Sequence, residues 1–241
     1  MKSFFGIFFP FLLSLECHTK EMVLVDAGYF KMGCNEISEH NLSAERLVYL
    51  DDFLIDPFEV TNKEYEKKYP EHKIKRHPTS FCDNCPVTKV SWYEARQYCQ
   101  SEGKDLPTEA QWEKAAGEND RCAYSWAGPL FQDKHEARSS GRVRGGFELD
   151  DGTSPIGSYP ANRYGLYDML GNVWEWTRDW MSAGSFGESI NPVGPQRGHF
   201  KVRRGGAWSD DIRGLMVSWR DWSAPETAFF VDIGFRCAKV P

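Results

Sequence analysis

After its first sixteen residues the sequence has no apolar run near the about 20 residues that a membrane-spanning helix needs, so no span is expected in the body of the chain. It lacks internal repeats, low-complexity tracts and any composition break that would mark a linker. One core and one domain are therefore expected of its 241 residues, 41% of them hydrophobic. It also lacks an excess of positive charge. With 29 Lys and Arg against 35 Asp and Glu, the net charge of −6 offers no electrostatic footprint for nucleic acid. The six histidines (His18, His40, His72, His77, His135, His199) neither cluster nor take an HxxxH spacing. That excludes a histidine-built metal centre and leaves each as a loop or surface residue.

The amino terminus is different. Met1 to Glu16 carries Lys2 and an apolar run from Phe4 to Leu15, too short to span a bilayer, and reads as a secretory signal over residues 1–16. No small-x-small cleavage site follows. Cys17 does, preceded by Leu13-Ser14-Leu15-Glu16, which resembles a relaxed bacterial lipobox with Glu16 where a small residue belongs. The expectation is an exported, cell-envelope lipoprotein. Cys17 is its lipidation site, residues 17–20 a short tether and residues 21–241 the domain, with membrane contact only through the anchor. Six cysteines would then remain of seven, an even number suited to disulfides in an exported protein. Cys82-Asp83-Asn84-Cys85 is the single CxxC. Without a second pair or a histidine cluster it predicts a structural disulfide, or two separate bridges, rather than zinc. The partners of Cys34 and Cys122 are left open.

Val23 to Lys31 alternates like an opening strand and Tyr49 to Ile55 like a second. Thr61 caps a helix from Asn62 to about Lys68, with Glu64 in its first turn. Pro70 to Asp83 reads as a basic loop without periodicity. Ser91 with Glu94 is a capping box opening a helix that ends near Gly103, and Thr108 with Gln111 opens another from Glu109 to Ala116, closed by Gly117. From Ala127 to Tyr159 loop is expected, and past Trp180 short strands and turns. Few helices followed by irregular short strands give an α+β class with low regular secondary structure.

The most concentrated stretch is Tyr164 to Trp180, YGLYDMLGNVWEWTRDW. Gly171-Asn172 is turn chemistry, and Val173 to Thr177 alternates as a strand. It places Glu175 among indoles, where a carboxylate is costly unless paired, hydrogen-bonded or metal-bound.

Gly171-Asn172-Val173-Trp174-Glu175-Trp176 resembles the GN-x-WEW signature of the formylglycine-generating enzyme family, the sulfatase-modifying-factor domain. Further landmarks follow that family's order: Met32-Gly33, Glu59-Val60-Thr61-Asn62, Pro86-Val87 with Val90-Ser91-Trp92, Leu106 to Glu113, Asn162 to Tyr167, Arg204-Gly205-Gly206-Ala207-Trp208 and Gly234-Phe235-Arg236-Cys237. The resemblance runs from about Glu21 to Val240 and implies a variant of the C-type-lectin-like fold. It also implies a Cys99–Cys237 disulfide, and structural calcium held by Glu175 with the carbonyls of Leu170, Gly171 and Val173, an oxygen set suited to that ion. A second calcium site of the family would fall at Ser139 to Asp151. Its Asn is replaced near Arg138, and Glu148, Asp150 and Asp151 alone remain to serve it.

Copper-dependent members carry two thiolates just after their RGGSW-like motif. Here Ser209 to Arg220 contains no cysteine. Asp210 and Leu215 stand at the thiolate positions, and Leu ligates nothing while Asp is a poor match to Cu(I). A second family disulfide is missing too, with Arg220 near one position and Ala115 or Ala116 near the other. No copper and no copper-dependent cysteine oxidation are expected. In some bacterial relatives the corresponding stretch is a ligand-binding face. Here that face would comprise Trp208, Asp210, Asp211, Arg213, Trp219 and Arg220, reaching to Phe230. Two readings follow: a non-catalytic scaffold binding a protein, peptide or glycan, or a sulfatase-modifying or other oxygen-dependent oxidase using a non-cysteine metal site.

Overall fold

A computed structural model describes residues 21–35, 44–117, 152–158, 161–182, 189–210 and 215–241. The expectations for residues 1–20, Cys122, Arg138, Glu148, Asp150, Asp151, Asp211 and Arg213 lie outside the described residues. Among the described residues the elements form three small sheets and three α-helices. Strands β1 (Val23–Val25), β4 (Phe53–Ile55) and β9 (Ala238–Lys239) make one antiparallel sheet in the order β1-β4-β9, joining the two ends of the domain. Strands β2 (Gly28–Met32) and β3 (Arg46–Leu50) pair as a hairpin. Strands β5 (Trp174–Trp180), β6 (Lys201–Arg204), β7 (Asp221–Ser223) and β8 (Ile233–Gly234) form the central sheet, ordered β7-β6-β5-β8, with β5 and β8 parallel.

Helices α1 (Asn62–Lys68), α2 (Trp92–Ser101) and α3 (Glu109–Ala116) each begin at a full capping box, Thr61/Glu64, Ser91/Glu94 and Thr108/Gln111. In each, the cap side chain accepts from the N3 amide while the N3 side chain accepts from the cap amide, satisfying helix donors that would otherwise be orphaned. Helix α3 is buried on nearly every side and inserts Trp112 against the central sheet.

Two expectations are corrected. The two long strands are each cut in half, at Asp26-Ala27 and at Asp51-Asp52, and the halves join different sheets. The buried positions change phase at each break, from Val25 to Phe30 and Met32 and from Val48 and Leu50 to Phe53 and Ile55, because each half packs in its own sheet. Pro70 to Asp83 is not a featureless loop. It contains 3₁₀ turns at Pro70–Lys75 and Pro78–Ser80, each with Pro at its start. Within them His72 is buried at 3% exposure with its ring nitrogen Nε2 against the Thr88 carbonyl, so it is not a surface residue.

Cys99–Cys237 and Cys82–Cys85 are both disulfides. They fit a protein that folds in an oxidising compartment. Among the described residues no helix is long and apolar enough to cross a membrane.

Candidate functional site

Strand β5 carries the centre of the molecule. It is buried on both faces over Trp174 to Thr177, which places Glu175 at 1% exposure in register with Arg204 on one side and Gly234 on the other. Arg236, itself fully buried, donates from Nε to Glu175 Oε2 at 2.8 Å and from Nη2 to Oε1 at 2.7 Å. Trp112 Nε1 donates to Oε2 at 2.8 Å. The remaining Arg236 N–H groups reach the carbonyls of Tyr167, Pro57 and Asp56. One guanidinium thus ties the C-terminal segment to β5, to the turn before it and to the chain after β4. Gly205, at φ +100, allows the close fit, since a Cβ there would lie 3.1 Å from both the Trp112 ring and the Met169 carbonyl.

Two further carboxylates lie in the same pocket of charge. Glu59 is fully buried and accepts from Asn172 Nδ2 at 3.0 Å. Asn172, in the left-handed region at φ 60, accepts in turn from the Ser154 amide. Asp168, also at positive φ, accepts from the Gly157 amide at 2.6 Å. The second oxygen of each, Glu59 Oε2 and Asp168 Oδ1, is buried without a partner. Burial, then the Asp168 charge, pushes the Glu59 carboxyl well above its ordinary range, and burial raises Asp168 to about 6. Hard carboxylate and carbonyl oxygens suit calcium, and orphaned buried oxygens are what an ion would satisfy, so the residues fit that group. Among the described residues no three His, Cys, Asp or Glu side chains converge as a metal site, so backbone carbonyls or water would complete the shell.

A second buried network spans α3 and the central sheet. Arg220, at 8% exposure, donates to both oxygens of Glu109, at 2.5 and 2.9 Å. Arg204 pairs with Glu113, whose other oxygen accepts from the Gly33 amide at 2.6 Å. Burial opposes the Glu109 charge, but Arg220 and Arg204 outweigh it and hold the carboxyl below its ordinary value. Arg220 is therefore an interior clamp and presents no charge to a ligand. Next to it Asp179 accepts from the Glu109 amide, and burial, aided by the Glu109 charge, raises its pKa to about 7. Lys201 lies 3.8 Å from the ring centres of both Trp92 and Trp180, and burial lowers it to about 8.

Asp179 titrates near 7 when folded and near about 3.9 when unfolded, so the folded state holds the extra proton between those values. Stability from this group is present below pH 4 and is lost as pH rises through 7. Asp179→Asn should flatten that slope and leave the variant more stable than the parent at about pH 8, by about 1–3 kcal/mol. Denaturant midpoints at about pH 5 and pH 8 check this, and an unchanged pH slope would remove Asp179 as its source.

The stretch after Arg204-Gly205-Gly206 divides between surface and interior. Trp208, Asp210 and Trp219 are half-buried, whereas Leu215 is wholly within the core. Asp210 accepts from the Ala207 amide at 2.8 Å, closing a turn, and burial with help from the Asp232 charge raises it to about 6. Ser209 donates to Asp232, and Arg203 pairs with Asp221 while lying over the rings of Trp174 and Phe230. Phe229, 70% exposed, packs against Phe230 at the edge of this surface. Sequence reasoning missed Arg203, Arg204, Glu113, Asp168 and Asp232 as site residues. Arg204 and Glu113 stand inside motifs already conspicuous in the sequence, and an internal charge in a buried motif was the available signal.

The chain matches the sulfatase-modifying factor enzyme 1-like domain over residues 13–241 and belongs to that family. It is 37% identical to a formylglycine-generating enzyme of Thermomonospora curvata, over 92% of this chain and 94% of that protein. It is also 37% identical to the inactive C-alpha-formylglycine-generating enzyme 2 of Bos taurus, over 92% of this chain and 88% of that one. The solved structure of Treponema denticola variable protein 1 superimposes with a TM-score of 0.72 at 22% identity, covering 91% of this chain and 95% of that one. The fold is the formylglycine-generating-enzyme variant of the C-type-lectin-like fold, with few helices and mixed short strands.

Proposed function

We propose that the protein is a non-catalytic binding scaffold of this fold, exported and lipid-anchored through Cys17 at a bacterial cell envelope. Its ligand surface is centred on Trp208, Asp210 and Trp219, with Phe229 at the rim, and takes a protein, peptide or glycan. One observation carries the reading. The two positions that the family resemblance gives to copper thiolates are filled by side chains with other work, Asp210 fastening the turn at Ala207 and Leu215 packing the core. Neither supplies a soft ligand for Cu(I). Equal identity to an enzyme and to a relative named inactive means that overall likeness favours neither outcome, and the site must decide. Half-buried aromatics with fixed polar neighbours form a competent recognition surface. Calcium belongs to the same reading as a structural ion at the turn of Leu170, Gly171 and Val173 beside Glu175, where it would tie that turn to the core.

The test is metal analysis of the purified mature domain alongside oxygen uptake on a CxPxR peptide, the cysteine-containing sequence that the family's enzymes modify. About one calcium per chain, no copper or iron, and no turnover are expected. Bound copper or iron with peptide-dependent oxygen uptake would overturn the scaffold reading and establish an oxidase built without the family cysteines.

A further inference from the structure

The Cys82–Cys85 bridge closes a turn whose shape does not depend on it. All four carbonyls of Cys82-Asp83-Asn84-Cys85 are already hydrogen-bonded. Cys82 accepts from the Cys85 amide at 3.2 Å and from Asn62 Nδ2 at 2.9 Å, and Asp83 accepts from the Lys63 amide at 3.0 Å. Asn84 accepts from the Ile156 amide at 2.9 Å and Cys85 from the Asn62 amide at 3.0 Å. Arg76 adds bonds to Asp83 Oδ1 at 2.9 Å and to the Phe81 carbonyl at 2.6 Å. The start of α1, Arg76 and Ile156 thus hold the turn from outside. A bridge between cysteines three apart removes little chain entropy, and here it repeats a constraint that the backbone already meets.

The two cysteines are also unlike. Cys85 is buried at 5% exposure, whereas Cys82 is half-buried. The other bridge differs again, since Cys99 and Cys237 are both at 0% exposure and closed to an attacking thiol. Exchange needs a thiolate to reach one sulfur while the other leaves, so the asymmetry assigns a role to each cysteine. Lys63, Lys73 and Arg76 all act on Asp83 within the turn, and together they outnumber Asp83 and the Glu66 paired with Arg76. Such surroundings favour the thiolate anions that exchange uses.

We propose that Cys82 and Cys85 are a reversible dithiol–disulfide couple that exchanges with a partner dithiol, an activity independent of the scaffold reading above. A thiolate of the partner attacks Cys82 Sγ. The Cys82–Cys85 bond breaks, and Cys85 Sγ leaves as a thiolate that takes a proton from water. The partner's second thiolate then attacks its own sulfur in the mixed disulfide and releases Cys82, which is protonated in turn. The partner is oxidised to its disulfide, and the couple gains the two electrons and two protons that the partner gives up. Because the carbonyls of the turn stay bonded, the two thiols remain side by side and the bridge re-forms by the reverse path.

The experiment sets the full chain beside its Cys82→Ser/Cys85→Ser double variant, each mixed with dithiothreitol and a disulfide-linked peptide. The parent should speed reduction of the peptide by about tenfold over the double variant. Alkylation followed by peptide mass spectrometry should find Cys82–Cys85 opened and Cys99–Cys237 closed, with the circular dichroism spectrum of the fold unchanged. Oxidised glutathione should capture Cys82 in the Cys85→Ser variant about tenfold faster than Cys85 in the Cys82→Ser variant. A parent no faster than the double variant would overturn the proposal, as would a bridge that opens only when the chain unfolds. A double variant that does not fold would show the bridge to be structural and overturn it equally. Capture of Cys85 as fast as Cys82 would overturn the roles assigned to the two sulfurs.

Discussion

Glu175→Gln and Arg236→Ala are each expected to destabilise the protein by about 3–5 kcal/mol, the cost of leaving one member of a buried ion pair uncompensated. The pair is buried at 1% and 0% side-chain exposure and is doubly hydrogen-bonded, so solvent screening offers little relief. Arg236→Ala also strands the carbonyls of Pro57 and Tyr167, which places it at the upper end. Because both variants break the same interaction, the double variant should lose less than the two single losses added together. Urea unfolding of the four proteins of this cycle measures it. Strictly additive losses would mean that Glu175 and Arg236 are stabilised by other neighbours and not by each other.

Replacing Cys99 and Cys237 together by serine is expected to cost about 3–5 kcal/mol, since the bridge closes a loop of 138 residues and chain-entropy stabilisation grows with loop length. The same change at Cys82 and Cys85, three residues apart, should cost far less. Chemical denaturation of both double variants against the parent, under oxidising conditions, tests the contrast. Equal losses would show that local packing, and not loop closure, sets the value of these bridges.

The helices were legible in the sequence because their starts are written locally, in three cap and N3 pairs each four residues long. The strands were less so. The buried face changes phase at Asp26-Ala27 and at Asp51-Asp52, a signal that a single alternating reading passes over, and pairing with distant segments such as β9 decides where each strand stops. The site divides along the same line. That Glu175 needs a partner followed from a carboxylate set among tryptophans, but the partner lies 61 residues further along and no spacing rule points to it. Arg220 sits among aromatics and acids that read as surface, yet Glu109, 111 residues earlier, draws it inside. Glu59 and Asp168 carry no local mark of their orphaned oxygens, because that property exists only once the Asn172 turn and the Gly157 amide are in place.

The position of β9 has a consequence for the order of events in synthesis. Strand β4 finds one of its two neighbours at Ala238 and Lys239, the Asp105 backbone pairs with Ala238, and Cys99 waits for Cys237. A nascent chain therefore cannot complete its first sheet until Ala238 and Lys239 have been made and have cleared the ribosome. Until then β4 carries an open edge, the kind that recruits foreign strands. Such long-range closure is slow by nature. A bulky insertion directly after Lys239 should thus lower the yield of native protein more than the same insertion just before Val23, where β1 can pair with β4 as soon as both have emerged.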